Sequence, residues 1–169
     1  MNGDSIEVTL RLPTTTDGAR VHGLVANCPP LDPNSMYCNL LQCSHFSATS
    51  VAAEQNGELV GFISGYILPD TPNTLFIWQV AVGEAGRGKG LATRMLKHIL
   101  SRPECSQVNH LETTITASNL ASWALFRGLA EKLNTRLVEL PFFDRDTHFN
   151  GEHDSELLAR IGPFNTEQI

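Results

Sequence analysis

The apolar and polar positions of the chain follow two rhythms, which predict where strands and helices lie. Runs rich in β-branched and aromatic residues indicate strands, whereas apolar residues spaced three or four positions apart indicate helices. Strands are predicted at 8–11, 50–54, 59–67, 75–82, 110–116 and 135–140. Helices are predicted between Gly18 and Pro29, from Asn34 or Ser35 within 31–47, after Gly90, after Ser118 or Asn119, and as a short helix at 155–160.

The order of these elements, β-α-(α)-β-β-β-α-β-α-β, predicts the class of fold. Asn56-Gly57 separates two apolar runs, which is a strong hairpin signal, and the segment 69–73 is predicted to be a loop. The nearly continuous apolar run 75–82 is typical of a central strand, and the later strands alternate with helices. We therefore predict an α/β (α+β) fold with a mixed central sheet and helices on both faces, as a single domain over residues 1–169.

The composition narrows the classes of function. Of 169 residues, 41% are hydrophobic and 18% are charged, with a net charge of −6 that argues against a general nucleic-acid binder. No apolar run is long enough for a transmembrane helix, and Met1–Ser5 lacks the pattern of a signal peptide. Four cysteines without a C-x-x-C pair favour reduced thiols over a zinc site. We therefore expect a cytoplasmic protein with no membrane or nucleic-acid partner.

The charges are unevenly distributed along the chain. Five basic residues and no acid lie between Glu84 and Glu104, whereas seven acids face two bases from Glu139 onwards. The first segment suits an anionic ligand and the second a cationic one, although charges on a solvated helix also explain the basic segment. The basic residues are Arg87, Lys89, Arg94, Lys97 and Arg102.

The glycine-rich segment 83–92 is the best candidate for a ligand site because it joins a strand to a helix. Glycines allow close approach of the backbone, and a helix N-terminus attracts anions such as phosphate. The spacing Gly83-x4-Gly88-Lys89 begins a P-loop, but Gly90 stands where that motif requires Ser or Thr. The glycine spacing also departs from the dinucleotide fingerprint. A turn with a purely structural role is the remaining alternative.

Two motifs resemble signatures of one enzyme family. Arg87-x-x-Gly90-x-Ala92, after a strand that ends in Val80-x-Val82, resembles the acetyl-CoA pyrophosphate loop of the GCN5-related N-acetyltransferases (GNAT), and Asn119-x-x-Ser122-x-x-Leu125-Phe126 resembles their second signature. The resemblance implies the GNAT fold and acetyl-CoA as co-substrate, with the Val80 N–H polarising the thioester oxygen. The residues that it implies for acetyl-CoA binding are Val80, Ala81, Val82, Arg87, Gly88, Lys89, Gly90, Leu91, Ala92, Asn119 and Phe126.

A closer resemblance extends over roughly residues 8–164. The segments 30–38, 76–82, 111–116 and 160–163 are similar to the L-2,4-diaminobutyric acid acetyltransferases of ectoine biosynthesis. The resemblance implies a homodimer that acetylates the N4 amine of L-2,4-diaminobutyrate, to give N4-acetyl-L-2,4-diaminobutyrate on the path to a compatible solute made under osmotic stress. The alternatives are a GNAT enzyme that acts on another small diamine or amino acid, and a CoA-binding module without activity.

The chemistry of a diamine substrate defines what the site must do. Alkyl amines have pKa values near ~10, so the site must hold one ammonium and remove a proton from the other. Carboxylates suit an ammonium, and the candidates are Asp32, which the resemblance includes, Glu156 and Asp154. The other substrate-binding candidates are Tyr37 for its hydroxyl, Trp78 as a cation–π wall, and His153. The catalytic candidates are Glu112, His153 and Tyr37. Structural alternatives are a turn for Asp32, a surface aromatic for Tyr37, core packing for Trp78, helix capping for His153 and Glu156, and a buried, hydrogen-bonded carboxylate for Glu112.

Phe126 departs from the family pattern, because many relatives have a tyrosine there that protonates the leaving thiolate. A phenylalanine has no proton to donate, so the acid is Tyr37 or a water, or the thiolate leaves unaided. The spacing of Asp144, Asp146, His148 and His153 is irregular for metal ligands, and no metal is expected.

Overall fold

A computed structural model describes residues 7–169, so the segment Met1–Ser5 lies outside the described residues. The strands in this part of the chain are β1 (Thr9–Arg11), β2 (Val51–Gln55), β3 (Glu58–Leu68), β4 (Thr71–Val82), β5 (His110–Thr116), β6 (Leu137–Phe143) and β7 (Glu156–Ile161). The α-helices are α1 (Gly18–Ala26), α2 (Met36–Ser44), α3 (Leu91–Leu100) and α4 (Leu120–Lys132). The strands form one mixed sheet in the order β1-β2-β3-β4-β5-β7-β6.

Helices cover both faces of the sheet, which confirms the predicted class of fold. Neighbouring residues of a strand point to opposite faces, and Ile63 joins the core under α3 and α4 while Phe62 joins the smaller core under α1 and α2. None of the helices within residues 7–169 combines the length and apolar character needed to cross a bilayer.

Two hairpins build the first half of the sheet. The predicted turn at Asn56-Gly57 is confirmed, and both residues have positive φ (54° and 78°) as a two-residue hairpin turn requires. The predicted loop at 69–73 is wrong in part, because β4 already begins at Thr71 and pairs there with Leu68. Pairing at both ends accounts for the extended conformation of this polar segment, because Thr71 pairs with Leu68 and the Asn73 carbonyl accepts from the Asn109 N–H at 3.0 Å.

The predicted short helix at 155–160 is wrong, because residues 156–161 form β7. Leu, Ala, Arg and Glu favour helices intrinsically. Strand β7 lies between β5 and β6 and pairs antiparallel with both, and Ala159 and Ile161 are completely buried. Pairing along both edges therefore overrides the local preference. The strand predicted at 135–140 is displaced and lies at Leu137–Phe143.

Strands β4 and β5 pair in parallel over three residue pairs, the last of which is Phe76 with Glu112. Beyond that pair, β4 continues along β3, whereas β5 continues along β7. The Thr113 hydroxyl donates to the Ile77 carbonyl at 2.9 Å, just past the point where pairing ends. The two strands therefore separate towards their carboxyl ends and leave an edge of β4 uncovered.

A buried ionic cluster ties the start of α1 to the sheet. The Asp17 carboxylate, 1% exposed, accepts hydrogen bonds from Arg11 at 2.7 and 2.9 Å, from Arg20 at 3.2 Å and from the Thr14 N–H at 2.8 Å. Arg11 also donates to Glu54 on β2 at 2.8 Å. The Arg11 hydrogen bonds are the main reason that the pKa of Asp17 is lowered to about 2.

We expect Asp17→Asn to lower the free energy of unfolding by about 2 kcal/mol at pH 7, because the wild-type carboxylate is charged and paired. A lowered pKa gives stability that is present above the ordinary pKa of 3.8 and is lost as the pH falls towards about 2. The difference between variant and wild type should therefore shrink as the pH falls from about 4 to about 2 in urea titrations.

The matched control is Glu139→Gln, which also removes one negative charge. Its partner is Arg127 at 2.6 Å, but both side chains are about half exposed, so the expected loss is below about 1 kcal/mol. Equal losses in the two variants, or a pH-independent loss in Asp17→Asn, would contradict this account.

Candidate active site

The separation of β4 and β5 opens a cavity of about 900 Å³. Val80 of β4 and the segment Thr113–Thr116 of β5 line this cavity. Asp32 and residues of the β6–β7 loop line it as well. A second cavity of about 290 Å³ lies between the glycine-rich loop, α3 and α4. Val80 and Ser122 line both cavities, so the two cavities adjoin at this point of β4.

The main chain of β4 faces the opening at Val80 and Val82. The Gly83 N–H donates to the Val60 carbonyl of β3 at 2.9 Å, whereas the Val82 carbonyl accepts from Arg87 Nε at 3.1 Å. Successive residues of a strand direct their main-chain groups to opposite sides. Val80 therefore shares the side of Val82 and presents its N–H and C=O away from β3. Such an edge suits an extended ligand that pairs as an added strand.

The glycine-rich loop has the backbone geometry of an anion site. Gly88 and Gly90 have positive φ (73° and 67°), and a Cβ added at either would meet no atom of the described residues within 4 Å. The requirement for glycine is therefore conformational, and the loop surface stays open to a ligand. Gly90 precedes Leu91, the first residue of α3, so the free N–H groups of the first helical turn point towards the smaller cavity.

The basic residues of this region serve two purposes. Lys89 Nζ donates to the Ala85 carbonyl at 3.1 Å and so stays close to the loop. Arg102, by contrast, donates to the carbonyls of Ala48 at 2.9 Å and Ser50 at 2.5 Å, and burial lowers the pKa of its guanidinium. Arg102 therefore holds the segment before β2, and the predicted anion-binding charge is left to the other four basic residues.

Three of the predicted substrate-binding side chains come together at the mouth of the larger cavity. His153 Nε2 lies 3.3 Å from Asp32 Oδ2 and 4.0 Å from Glu156 Oε1. Its Nδ1 lies 2.6 Å from the Asp154 carbonyl, which assigns the N–H to Nδ1. The pKa of His153 is raised above its usual 6.5, chiefly by the hydrogen bond to the Asp154 carbonyl. Burial opposes this rise, and the Asp32 and Glu156 carboxylates add to it.

Gln79 anchors the segment that carries Asp32, and it was not among the predicted site residues. Its Nε2 donates to the Asp32 carbonyl at 3.0 Å, its Oε1 accepts from Asn34 Nδ2 at 3.2 Å, and it is 8% exposed. A shift of register between Ser64 and Gly65 leaves Trp78 as an extra residue of β4. A glutamine within the otherwise apolar run 75–82 was the signal in the sequence.

The two aromatic candidates have different positions. Trp78 lines the larger cavity and is 42% exposed, and its ring meets those of Tyr66 and Phe46 edge-on at 6.2 and 6.3 Å between centroids. Tyr37 lies in the first turn of α2, 69% exposed, and is not among the described residues that line either cavity. Trp78 therefore lies in the candidate site, whereas Tyr37 lies outside it.

Glu112, a candidate general base, lies outside both cavities. It is 8% exposed, its carboxylate accepts a hydrogen bond from Arg160 on β7, and it does not line either cavity among the described residues. A buried carboxylate held by a guanidinium is the structural alternative considered for this residue, and the geometry favours it over a general base.

The start of α4 completes the junction of the cavities. Asn119 caps the helix by accepting from the Ser122 N–H at 3.2 Å, and the almost fully buried Phe126 closes the inner end of the larger cavity. Among the described residues, Ser122 is the one side chain with a hydroxyl that lines both cavities. Ser122 was not among the predicted site residues, and its place in the second motif is the sequence signal for it.

The acidic loop between β6 and β7 is closed by its own hydrogen bonds. The Asp144 carboxylate accepts from the N–H groups of Asp146 and Thr147 at 3.0 and 2.8 Å, and the Asp144 N–H donates to His148 Nδ1 at 2.8 Å. Within residues 7–169, no group of three or more His, Cys, Asp or Glu side chains is arranged to hold a metal ion.

Comparisons with known proteins agree with this geometry. The acetyltransferase (GNAT) family model matches residues 21–130. The chain is 60% identical over 161 residues to the L-2,4-diaminobutyric acid acetyltransferase of Methylotuvimicrobium alcaliphilum (95% of this chain, 94% of that one) and 50% identical over 161 residues to that of Halomonas elongata (95% and 83%). It also resembles the diaminobutyrate acetyltransferase of Paenibacillus lautus, solved with L-2,4-diaminobutyric acid and coenzyme A (TM-score 0.90, 39% identity, 95% and 97% coverage). The chain therefore belongs to the acetyltransferase (GNAT) family, in the branch that contains these L-2,4-diaminobutyric acid acetyltransferases.

Proposed function

We propose that this protein transfers the acetyl group of acetyl-CoA to the N4 amine of L-2,4-diaminobutyrate. The observation that carries the proposal is the junction at Val80, where an anion-binding groove and an acidic cavity adjoin on an open strand edge. Relatives that share half or more of the sequence bear the name of this activity. The proposed product, N4-acetyl-L-2,4-diaminobutyrate, is an intermediate of ectoine biosynthesis, and we place the enzyme in that pathway.

Acetyl-CoA fits the smaller cavity and the edge of β4. The N–H groups of residues 87–92 are positioned to hold the pyrophosphate, with Arg87 and Lys89 adding positive charge. Pantetheine extends along the uncovered edge as an added strand. The thioester then lies at the junction, where the Val80 N–H donates to its oxygen as negative charge develops during attack.

The amine reacts only after it loses a proton. With Nδ1 fixed by the Asp154 carbonyl, His153 Nε2 is the nitrogen that accepts that proton. The amine nitrogen forms a bond to the thioester carbon, and the carbon–sulfur bond breaks to give the CoA thiolate. The nitrogen then loses its second proton, which the thiolate takes up to give CoA and the neutral amide. Ser122 at the junction replaces Tyr37 as our candidate for a hydrogen bond to that thiolate.

The proposed activity predicts that purified protein releases CoA when given acetyl-CoA and L-2,4-diaminobutyrate, with NMR of the product showing acetylation at N4.

Asp32→Asn should lower kcat/KM for the diamine by about 10- to 100-fold, since it removes a charged partner of an ammonium.

Asp70→Asn is the matched control, because Asp70 is exposed in the turn between β3 and β4. It should keep wild-type kinetics. Absence of CoA release from folded protein would reject an acetyltransferase with this substrate. Faster turnover of ornithine or lysine than of L-2,4-diaminobutyrate would show that the acceptor substrate is another diamine.

The second prediction concerns the protonation of His153. Since the Asp154 carbonyl and two carboxylates favour the imidazolium, NMR titration should give a pKa above 6.5 that falls in Asp32→Asn. A raised pKa delays formation of the neutral base, so kcat/KM should rise with pH through a value above 6.5.

His110 provides an internal control for that titration. Burial and the neighbouring Arg160 lower its pKa, and its environment contains neither Asp32 nor Glu156. The His110 titration should be unchanged by Asp32→Asn. A His153 pKa that is also unchanged in Asp32→Asn would show that the two side chains do not interact in solution.

We also infer that two copies associate through β6. This strand is the last in the sheet and leaves one edge unpaired, and its exposed side chains are largely apolar: Val138, Leu140, Phe142 and Phe143. An unpaired edge strand pairs readily with the same strand of a second copy about a two-fold axis. Light scattering should give twice the 18.5 kDa mass of one chain.

Leu140→Lys tests this surface, since it places a charge on β6 and should give monomers. Leu12→Lys alters an exposed leucine beside β1, at the opposite edge of the sheet, and should leave a dimer. A monomeric wild type, a dimer that persists in Leu140→Lys, or a monomer in Leu12→Lys would contradict the assignment.

The cellular setting follows from the substrates. Acetyl-CoA and a free amino acid are small cytoplasmic metabolites, and the cavities account for both without a membrane or nucleic-acid partner. We therefore propose a cytoplasmic enzyme.

A further inference from the structure

The larger cavity has a charge distribution that neither amine of the substrate explains. Among the described residues that line it, four are acidic and one is an arginine: Asp32, Glu152, Asp154 and Glu156, against Arg145. Carboxylates suit the two ammonium groups of a diamine. An arginine in the same cavity opposes their binding unless it has a negative partner on the substrate.

Most N–H donors of the Arg145 guanidinium make no hydrogen bond to the described residues. Its Nη2 makes one long contact, 3.4 Å to the Gly151 carbonyl, and its guanidinium forms no ion pair with an acid of residues 7–169. A guanidinium carries five N–H groups in a fixed fork that matches a carboxylate. His153, the other basic side chain of the cavity, already has both nitrogens engaged, with Asp154 and Asp32.

The backbone beneath Arg145 is fixed before any ligand binds. Its N–H donates to Ser155 Oγ at 2.8 Å, and its carbonyl accepts from the Gly151 N–H at 2.8 Å. The Asp144 carboxylate caps the same turn, and those hydrogen bonds lower the pKa of Asp144. Phe143 and Phe149 line the cavity on either side along the chain and contact each other at 6.1 Å between ring centroids. The guanidinium of Arg145 is therefore carried by a hydrogen-bonded loop between two aromatic rings. These apolar surroundings strengthen its attraction to an anion.

From this arrangement we propose that Arg145 binds the carboxylate of the acceptor and makes the enzyme select an amino acid over a plain diamine. The proposal rests on the proposed function and adds the substrate feature that is recognised. The amines then face Asp32 and Glu156, the carboxylate faces Arg145, and the substrate is held by groups of opposite charge at separate points. Three such points also distinguish the L from the D enantiomer.

The test compares L-2,4-diaminobutyrate with 1,3-diaminopropane, which is the same molecule without its carboxylate. Calorimetry on protein saturated with CoA gives Kd for each ligand. Arg145→Gln should weaken binding of L-2,4-diaminobutyrate by about 10- to 100-fold and leave binding of 1,3-diaminopropane within about two-fold. Arg145→Lys should keep part of the preference, since it retains the charge without the paired donors. Arg136→Gln, an exposed arginine outside both cavities, should change neither affinity.

The other outcomes separate the possible failures. Equal weakening of both ligands in Arg145→Gln would overturn the proposal, because it would mean that Arg145 shapes the cavity without contacting the carboxylate. A raised KM for acetyl-CoA with unchanged affinity for L-2,4-diaminobutyrate would overturn it in favour of a contact with CoA phosphate. Wild-type protein that turns over 1,3-diaminopropane as well as L-2,4-diaminobutyrate would overturn carboxylate selection while leaving acetyl transfer intact. Wild type that binds CoA but neither amine would reject the proposed function itself.

Discussion

The site depends on the early end of the pairing between β4 and β5. Each strand is held along its length by a different neighbour, β4 by β3 and β5 by β7, so the two are free to separate after Phe76 and Glu112. Separation leaves the N–H and C=O of Val80 without a strand partner and creates the space that both cavities occupy. Unpaired main-chain groups are costly when buried but useful when a ligand completes the ladder.

A single extra residue in β4 then decides what faces that space. Without it, Ile77 and Gln79 would point to the same face, because side chains of a strand alternate with a period of two. With Trp78 as the extra residue, Ile77 packs in the core under α3 and α4, whereas Gln79 turns to the other face and binds the Asp32 segment. The bulge thus couples β4, along which acetyl-CoA lies in the proposed function, to the segment that carries the Asp32 carboxylate.

What the sequence predicted well is local. The Asn56-Gly57 turn, the glycine loop before α3 and the Asn119 cap each depend on a few adjacent residues. The features that were missed join distant positions. Strand β7 is extended only because β5 and β6 flank it, and the partner of Glu112 is Arg160, 48 residues along the chain. Asp32 was predicted from the family resemblance, and His153 and Glu156 from the chemistry that a diamine requires. Periodicity indicates none of the three, because it carries no long-range information.

The acids of the cavity create a conflict that the geometry of His153 resolves. A carboxylate beside an ammonium raises the pKa of that ammonium and makes it a poorer nucleophile, so the amine paired with Asp32 or Glu156 stays protonated and unreactive. Before substrate binds, the Asp154 carbonyl and then the same carboxylates favour the imidazolium of His153. An ammonium that arrives between them acts on His153 as a like charge and lowers its pKa again. In the proposed function, binding of one amine therefore frees His153 Nε2 to accept a proton from the other. The distinction between the two amines and the activation of the proposed base then have the same electrostatic origin.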